Sequence, residues 1–119
     1  MELKTEFEFE AAHSLKGYNG KCANVHGHRW RVIIWAEGSE KLIGKNGILW
    51  DFANAEEIRK ELDHVNLNEV MDVNPTAENI ALKILSKLEK SSKDLKFKVR
   101  VYESPESYAE VSSFEKKYF

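Results

Sequence analysis

Alternating apolar and polar residues in two long segments predict two β-strands. From Leu3 to His13 the odd positions are mostly apolar, while the even positions up to 10 are charged. From His26 to Ala36 the even positions carry two histidines, at 26 and 28, followed by apolar residues. A period of two is typical of a strand with one buried face. The first strand should therefore end in a histidine, and the second should begin with a pair of them.

The middle of the chain contains a first segment with helical spacing. We expect this helix to begin within the acidic segment Asp51–Asn54 and to run into Asp63-His64. Asn54 and Glu57 are placed as a capping pair. Its apolar positions are Ala55, Ile58 and Leu62.

A second helix has clearer boundaries. Asn74 or Thr76 can cap its start, and Pro75 suits a first helical position after Asn74. The polar residues 91–94 should end it. Its apolar stripe consists of Ala77, Ile80, Ala81, Ile84, Leu85 and Leu88.

The rest of the chain returns to the alternating pattern. Residues from Leu95 to Glu103 predict a third strand, residues 104–107 a turn, and Tyr108 to Phe114 a last strand. The order ββααββ indicates an α+β fold, an antiparallel sheet with both helices on one face. A chain of 119 residues is too short for two ordinary domains, so we expect one domain over residues 1–119.

Charge and composition narrow the class of partner. The 18 Lys and Arg residues are interleaved with 20 Asp and Glu residues, which disfavours a nucleic-acid-binding surface. No apolar run approaches the roughly 20 residues of a membrane span, and the first residues lack the apolar stretch of a signal peptide. Cys22 is the only cysteine, which excludes a disulfide scaffold. We expect a soluble, cytoplasmic protein with a small-molecule ligand or a protein partner.

Three histidines occupy the same alternate positions as the apolar residues of their strands, so they should point to the same face. They are His13, His26 and His28, and the last two lie on one face of a strand, where both rings can reach one ion. Three imidazoles with a fourth position open form a typical catalytic zinc site. The alternative is three histidines at sheet ends that are satisfied by hydrogen bonds.

Other residues could add proton chemistry to such a site. Cys22 precedes the histidine pair in a loop, where a thiol could act as a base, a nucleophile or a fourth ligand, or could be an inert small hydrophobe. Asp63 can orient His64 as a proton acceptor if both lie at the helix end. A histidine there could instead simply favour the helix dipole.

Glu103 occupies one of the alternate positions that are otherwise apolar in the third strand. Burying it is costly unless it is paired. Its two oxygens suit the guanidine-like N–H edge of a pterin or a guanine. It could equally cap a turn or pair with a lysine.

Taken together, six segments resemble the 6-pyruvoyl-tetrahydropterin synthase family. The resemblance extends from residue 7 to about residue 103, and its segments are Phe9-Glu10-Ala11-Ala12-His13, Cys22 before His26-Gly27-His28, residues 47–52, residues 62–68, residues 75–79 and Glu103. It implies the T-fold, whose subunits join their sheets into a barrel-like homo-oligomer, a trimer or a hexamer, with active sites between subunits.

The resemblance also implies roles for individual residues. It implies a zinc ion held by His13, His26 and His28. It implies proton transfer by Cys22, Asp63 and His64. It implies a pterin pocket anchored by Glu103 and lined by Thr76 and Glu78.

Within that family, the spacing of the cysteine favours one branch. Three residues separate Cys22 from His26, as in the 6-carboxy-tetrahydropterin synthases of the queuosine and archaeosine pathway, whereas the biopterin-pathway enzymes have a longer spacer. The implied reaction converts 7,8-dihydroneopterin triphosphate to 6-carboxy-5,6,7,8-tetrahydropterin, with release of acetaldehyde and triphosphate. Two alternatives remain: 6-pyruvoyl-tetrahydropterin synthesis, and an oligomeric protein that binds zinc and a pterin without turnover.

Overall fold

The computed structural model describes residues 1–113, which form a five-stranded sheet covered by helices. The strands are β1 (Glu2–His13), β2 (His26–Glu37), β3 (Val65–Asn66), β4 (Lys96–Ser104) and β5 (Ser107–Ser112). The helices are α1 (Ala53–Leu62), α2 (Leu67–Val70) and α3 (Ala77–Ser91). The sheet order is β3-β1-β2-β4-β5, and every neighbouring pair is antiparallel except β3 with β1.

The predicted α+β fold class is confirmed, with the four long strands and two long helices in the expected order. The last strand, β5, ends at Ser112, and Phe114 lies outside the described residues. Within residues 1–113 no helix is both long and apolar enough to cross a bilayer.

One face of the sheet and the helices share a single apolar core. Inward residues of the strands, such as Phe9 on β1 and Val99 on β4, belong to the same buried cluster as Ile58 of α1 and Leu85 of α3. The glutamates at even positions of β1 are exposed instead. The alternation seen in the sequence thus separates a helix-covered face from an open one.

Trp30 anchors the core at the end of the sheet that carries the histidines. Its side chain is fully buried, and its ring stacks on Phe9 with the centroids 5.9 Å apart. Its indole nitrogen donates to the carbonyl oxygen of Ala11 at 3.3 Å. The ring of His13 meets Trp30 edge to face, so an apolar wall backs the first histidine.

Two short elements that follow α1 were not predicted. After α1 the backbone of His64 turns into the left-handed region, with φ 57°, and its N–H donates to the carbonyl oxygen of Glu10. This brings Val65–Asn66 alongside β1 as the parallel strand β3. The side chain of Asn66 then accepts from the N–H of Asn68 and caps the four-residue helix α2. Both elements are too short to produce a periodic pattern.

The predicted caps were partly wrong. Helix α1 begins at Ala53, within the expected segment, but its N-cap is Phe52 and no Asn54–Glu57 capping pair forms. The carboxylate of Asp51 accepts from the N–H of Ala53 instead. A side chain that precedes the helix therefore pairs with a backbone N–H of its first turn. For α3 the N-cap is Thr76, whose hydroxyl oxygen accepts from Asn79 N, as one of the two alternatives expected.

Candidate metal centre

Three imidazoles and one carboxylate meet at one end of the sheet. They belong to His13, His26, His28 and Glu103, and one ligand atom from each lies within 4.8 Å of the others. His13 is buried, whereas the other three side chains are half-buried. The structure therefore brings the three predicted histidines together and adds Glu103 to them.

Strand register accounts for this convergence. In the antiparallel pairing of β1 with β2, His13 lies opposite His26 and Ala11 lies opposite His28. The histidine at the end of β1 thus meets the pair that begins β2. On the other side of β2, Arg31 pairs with Tyr102 of β4, which places the next residue, Glu103, near the same end.

Backbone carbonyl groups orient two of the rings. Nδ1 of His13 donates to the oxygen of Pro75 at 2.7 Å, and Nδ1 of His26 donates to the oxygen of Asn24 at 2.6 Å. Since a carbonyl oxygen only accepts, each bond requires the proton on Nδ1. The neutral form of each ring then has its lone pair on Nε2, which is the usual arrangement for a metal-ligating histidine.

The Nε2 atoms of His13 and His28 are buried and have no hydrogen-bond partner among residues 1–113. The oxygen Oε1 of Glu103 lies 3.3 Å from Nε2 of His28 and 3.8 Å from Nε2 of His13. Burial, more than any neighbouring charge, lowers the pKa of His28 and favours the neutral imidazole. Unpaired buried nitrogens facing a carboxylate are the environment expected around a bound cation.

These donors fit Zn²⁺. Neutral imidazole nitrogens and a carboxylate oxygen are ordinary zinc ligands, and three protein nitrogens leave room for a fourth ligand. The hydrogen bonds from Nδ1 to main-chain oxygens supply the outer-shell support that such sites use.

Two cavities flank this cluster. The first, of about 430 Å³, is lined by His28, Glu103 and Tyr102 among others. The second, of about 510 Å³, is lined by His28 and His64. Both also include Gly27 in their walls. Of the cluster, His28 therefore borders both cavities and Glu103 borders the first.

The Asp63–His64 pair lies directly after α1. The oxygen Oδ1 of Asp63 accepts from the backbone N–H of Glu10 at 2.9 Å, and Oδ2 lies 3.5 Å from Nε2 of His64. This backbone hydrogen bond, followed by the charges of His64 and Arg59, lowers the pKa of Asp63. Asp63 is thus held as a carboxylate beside an imidazole that opens onto the second cavity.

The structure does not bring the other sequence-predicted residues into the cluster. Cys22 lies half-buried and unpaired in a short 3₁₀ turn, residues 21–23, and lines neither of the two cavities. Thr76 caps α3, and Glu78 is exposed on its first turn. Thr76 directly follows Pro75, so the start of α3 lies beside His13.

Sequence reasoning missed several residues that support the site. Pro75 and Asn24 act through main-chain oxygens, which leave no signature in the side-chain pattern. Arg59 contacts Oδ2 of Asp63 at 2.7 Å. Residues four apart on a helix are neighbours on its surface, so the spacing of Arg59 and Asp63 could have indicated this ion pair.

Comparisons with known proteins show which family the chain resembles. The family model described as 6-pyruvoyl tetrahydropterin synthase matches residues 2–113. A 6-carboxy-5,6,7,8-tetrahydropterin synthase of Synechocystis sp. is 36% identical over 94 residues, which are 72% of this chain and 73% of that protein. A dihydroneopterin monophosphate aldolase of Pyrococcus furiosus is 39% identical over 87 residues, 70% of each chain.

A solved structure shares the fold. It is the 6-pyruvoyl tetrahydropterin synthase of Caenorhabditis elegans, with a TM-score of 0.75 and 23% sequence identity over 95% of both chains. The family match covers nearly all of the described residues, including all four members of the histidine and glutamate cluster. The chain therefore belongs to the 6-pyruvoyl tetrahydropterin synthase family.

Proposed function

We propose that this protein is a zinc-dependent lyase of pterin synthesis. The proposed reaction converts 7,8-dihydroneopterin triphosphate, with uptake of water, to 6-carboxy-5,6,7,8-tetrahydropterin, acetaldehyde and triphosphate. The observation that carries this proposal is the cluster of three imidazoles and Glu103 in a chain of this family. The name of the relative from Synechocystis and the short spacer after Cys22 support the choice of product, a precursor of queuosine and archaeosine.

His13, His26 and His28 would hold the zinc ion. When bound, zinc would supply a Lewis acid to the hydroxyl oxygens of the substrate side chain. The buried Nε2 atoms of His13 and His28 support this assignment, because each lacks a hydrogen-bond partner among the described residues.

Cys22, Asp63 and His64 would move protons at the substrate side chain. We assign to Cys22 the removal of a C–H proton, because its position outside the ligand cluster favours a base over a fourth ligand. Asp63 would orient the imidazole of His64, which opens onto the second cavity and could exchange a proton there.

The pterin ring would bind through Glu103, with Thr76 and Glu78 lining its pocket. A carboxylate can accept two hydrogen bonds from the N–H edge of a pterin. The first cavity supports this role, because Glu103 lines it and its volume of about 430 Å³ lies in the usual range for small-ligand pockets.

We further propose that the protein acts in the cytoplasm as a homo-oligomer, a trimer or a hexamer, of one T-fold domain per chain. The sheet supports association through its edges, because β3 pairs with β1 only at Ala11 and Ala12. Most of that β1 edge therefore has no partner strand among residues 1–113, and such edges readily accept another chain.

A second candidate function is aldol cleavage of dihydroneopterin monophosphate. The 39% identical relative from Pyrococcus furiosus favours it. It would use the same pterin ring and the same kind of base, with one phosphate in place of three.

One incubation tests these activities. Zinc-loaded protein is mixed with 7,8-dihydroneopterin triphosphate, or in parallel with the monophosphate, and the products are identified by mass. A 6-carboxy product with acetaldehyde supports the proposal. A 6-pyruvoyl product, cleavage of the monophosphate alone, or bound pterin without turnover would each overturn it in favour of a named alternative.

A further inference from the structure

Both oxygens of the Asp63 carboxylate have partners. Oδ1 accepts from the backbone N–H of Glu10 at 2.9 Å. Oδ2 lies 2.7 Å from Nη1 of Arg59 and 3.5 Å from Nε2 of His64. Arg59 and His64 therefore share one oxygen, and the guanidinium makes the closer contact.

Arg59 is itself held by Glu56, one turn earlier on α1. Its Nε donates to Oε2 of Glu56 at 2.9 Å, and its Nη2 donates to Oε1 at 2.6 Å. This bidentate contact leaves Nη1 for Asp63 and fixes the plane of the guanidinium. The i, i+3 and i, i+4 spacings place all three side chains on one face of the helix.

The imidazole of His64 depends on this support. Its side chain is 74% exposed, so little packing fixes the ring, and its backbone lies in the left-handed region with φ 57°. The polar side-chain contact that the structure gives for the ring is the one between its Nε2 and Oδ2 of Asp63, at 3.5 Å. A carboxylate held only by the N–H of Glu10 could rotate about its Cβ–Cγ bond and carry Oδ2 away from His64.

We propose that Arg59 is a positioning residue that keeps Oδ2 of Asp63 turned toward the imidazole of His64. This inference rests on the proposed function, in which Asp63 and His64 take part in proton transfer. Arg59 does not line either cavity beside the cluster, so it acts through Asp63 and not on the substrate.

A purely structural role would have a different signature. The Arg59–Asp63 pair is part-buried, and a single ion pair at i, i+4 spacing adds only modestly to stability, so replacing Arg59 should leave the fold and the zinc content unchanged. A positioning role predicts instead a loss of turnover at saturating substrate with unchanged substrate affinity.

The test compares R59M with K60M in the full-length, zinc-loaded protein. Lys60 is the next residue of α1 and carries the same charge, but it forms none of the hydrogen bonds or ion pairs of Asp63. We expect kcat for the dihydroneopterin substrate to fall by about tenfold or more in R59M, with KM and bound zinc unchanged. K60M should match the wild type. A kcat for R59M within about twofold of the wild type, or equal losses in both variants, would overturn the proposal.

Rescue separates positioning from misfolding. In R59A, guanidinium ion at concentrations well below those that unfold proteins should restore part of kcat, and it should have no such effect on K60A. If R59M fails to fold, E56Q serves as a second variant, because it removes one of the two oxygens that hold Arg59 and leaves the contact with Asp63. E56Q should show a smaller loss of kcat in the same direction, and an unchanged kcat in E56Q would count against the proposal.

A readout without turnover keeps the two proposals distinguishable. If the wild type converts no dihydroneopterin substrate, the proposed function fails, while carbon-13 NMR of the Asp63 carboxyl group still tests Arg59. The pKa of Asp63 should be higher in R59M than in the wild type and in K60M, because a cation beside the carboxylate is lost. An unchanged pKa would overturn the inference whatever the reaction is.

Discussion

The ring nitrogen Nδ1 of His13 donates a buried hydrogen bond of 2.7 Å to the carbonyl oxygen of Pro75, which joins the end of β1 to the residues before α3. The bond fixes both the tautomer and the rotation of the ring. A ligand oriented in advance loses less conformational freedom when it binds. The packing of α3 against the sheet therefore also sets the direction in which His13 presents its lone pair.

Removing one imidazole tests the metal site. In H28A we expect zinc affinity to fall by more than about 100-fold, which is the upper end of the loss seen when an outer-shell partner is removed. Turnover should disappear together with bound zinc. The measurement is metal content after dialysis, with H64A as the control that should keep its zinc. Full retention of zinc by H28A would contradict the assignment of His28 as a ligand.

Replacing the cysteine separates a base from a ligand. In C22A we expect zinc content equal to that of the wild type, because the thiol lies outside the ligand cluster. The rate should fall by about 100-fold or more, the size typical of losing a general base. Metal analysis and product formation are measured on the same sample. Loss of zinc from C22A would make Cys22 a ligand instead.

The glutamate at the end of β4 is tested by removing only its charge. In E103Q we expect pterin binding to weaken by about tenfold or more, because one charge-assisted acceptor is lost. Zinc affinity should fall by a smaller factor, since three imidazoles remain. Titration calorimetry with a non-reacting pterin and with zinc gives both values. Equal pterin affinity in E103Q and the wild type would remove Glu103 from the pterin pocket.

The stability contribution of Asp63 should depend on pH. Its pKa is lowered in the folded protein, first by the hydrogen bond from Glu10 N. A lowered pKa means that the stabilisation is complete above the unfolded value of about 3.9 and is lost as the pH falls through the lower folded value. The melting temperature of D63N should therefore lie below that of the wild type near neutral pH, and the gap should close below about pH 4.

The exposed residue Asp72 provides the control for that experiment. Thermal unfolding of D63N, D72N and the wild type is compared at each pH, so that any loss of zinc in acid affects all three proteins alike. D72N should follow the wild type across the range. A constant difference in melting temperature between D63N and the wild type down to about pH 3 would mean that ionisation of Asp63 does not stabilise the fold.

The long elements were predictable because their patterns are local. The alternation in β1 and the stripe in α3 each repeat several times, so a single irregular position does not hide them. The strand β3 spans two residues, and it depends on the left-handed backbone of His64 and on hydrogen bonds to Glu10. Contacts between segments 53 residues apart cannot be inferred from a local repeat.

The candidate site was predictable where it depends only on which face of a strand a side chain points to. His13, His26 and His28 share the apolar face of their strands, which is sufficient to bring them together once β1 pairs with β2. Glu103 also has the apolar parity, but its distance from His28 depends on the register of β4 against β2, which no local pattern fixes. The thiol of Cys22 lies in a loop without periodicity, so its place just before the histidine pair was predictable and its contacts were not.

Gly27 lies in the walls of both cavities beside the histidine cluster. A Cβ built there meets no atom within 4 Å, so an alanine would be accepted without a clash. Its methyl group would enter open space beside the next residue, His28, which lines the same two cavities. One methyl group at position 27 would thus reduce the volume open beside the proposed metal ligands without replacing any of them.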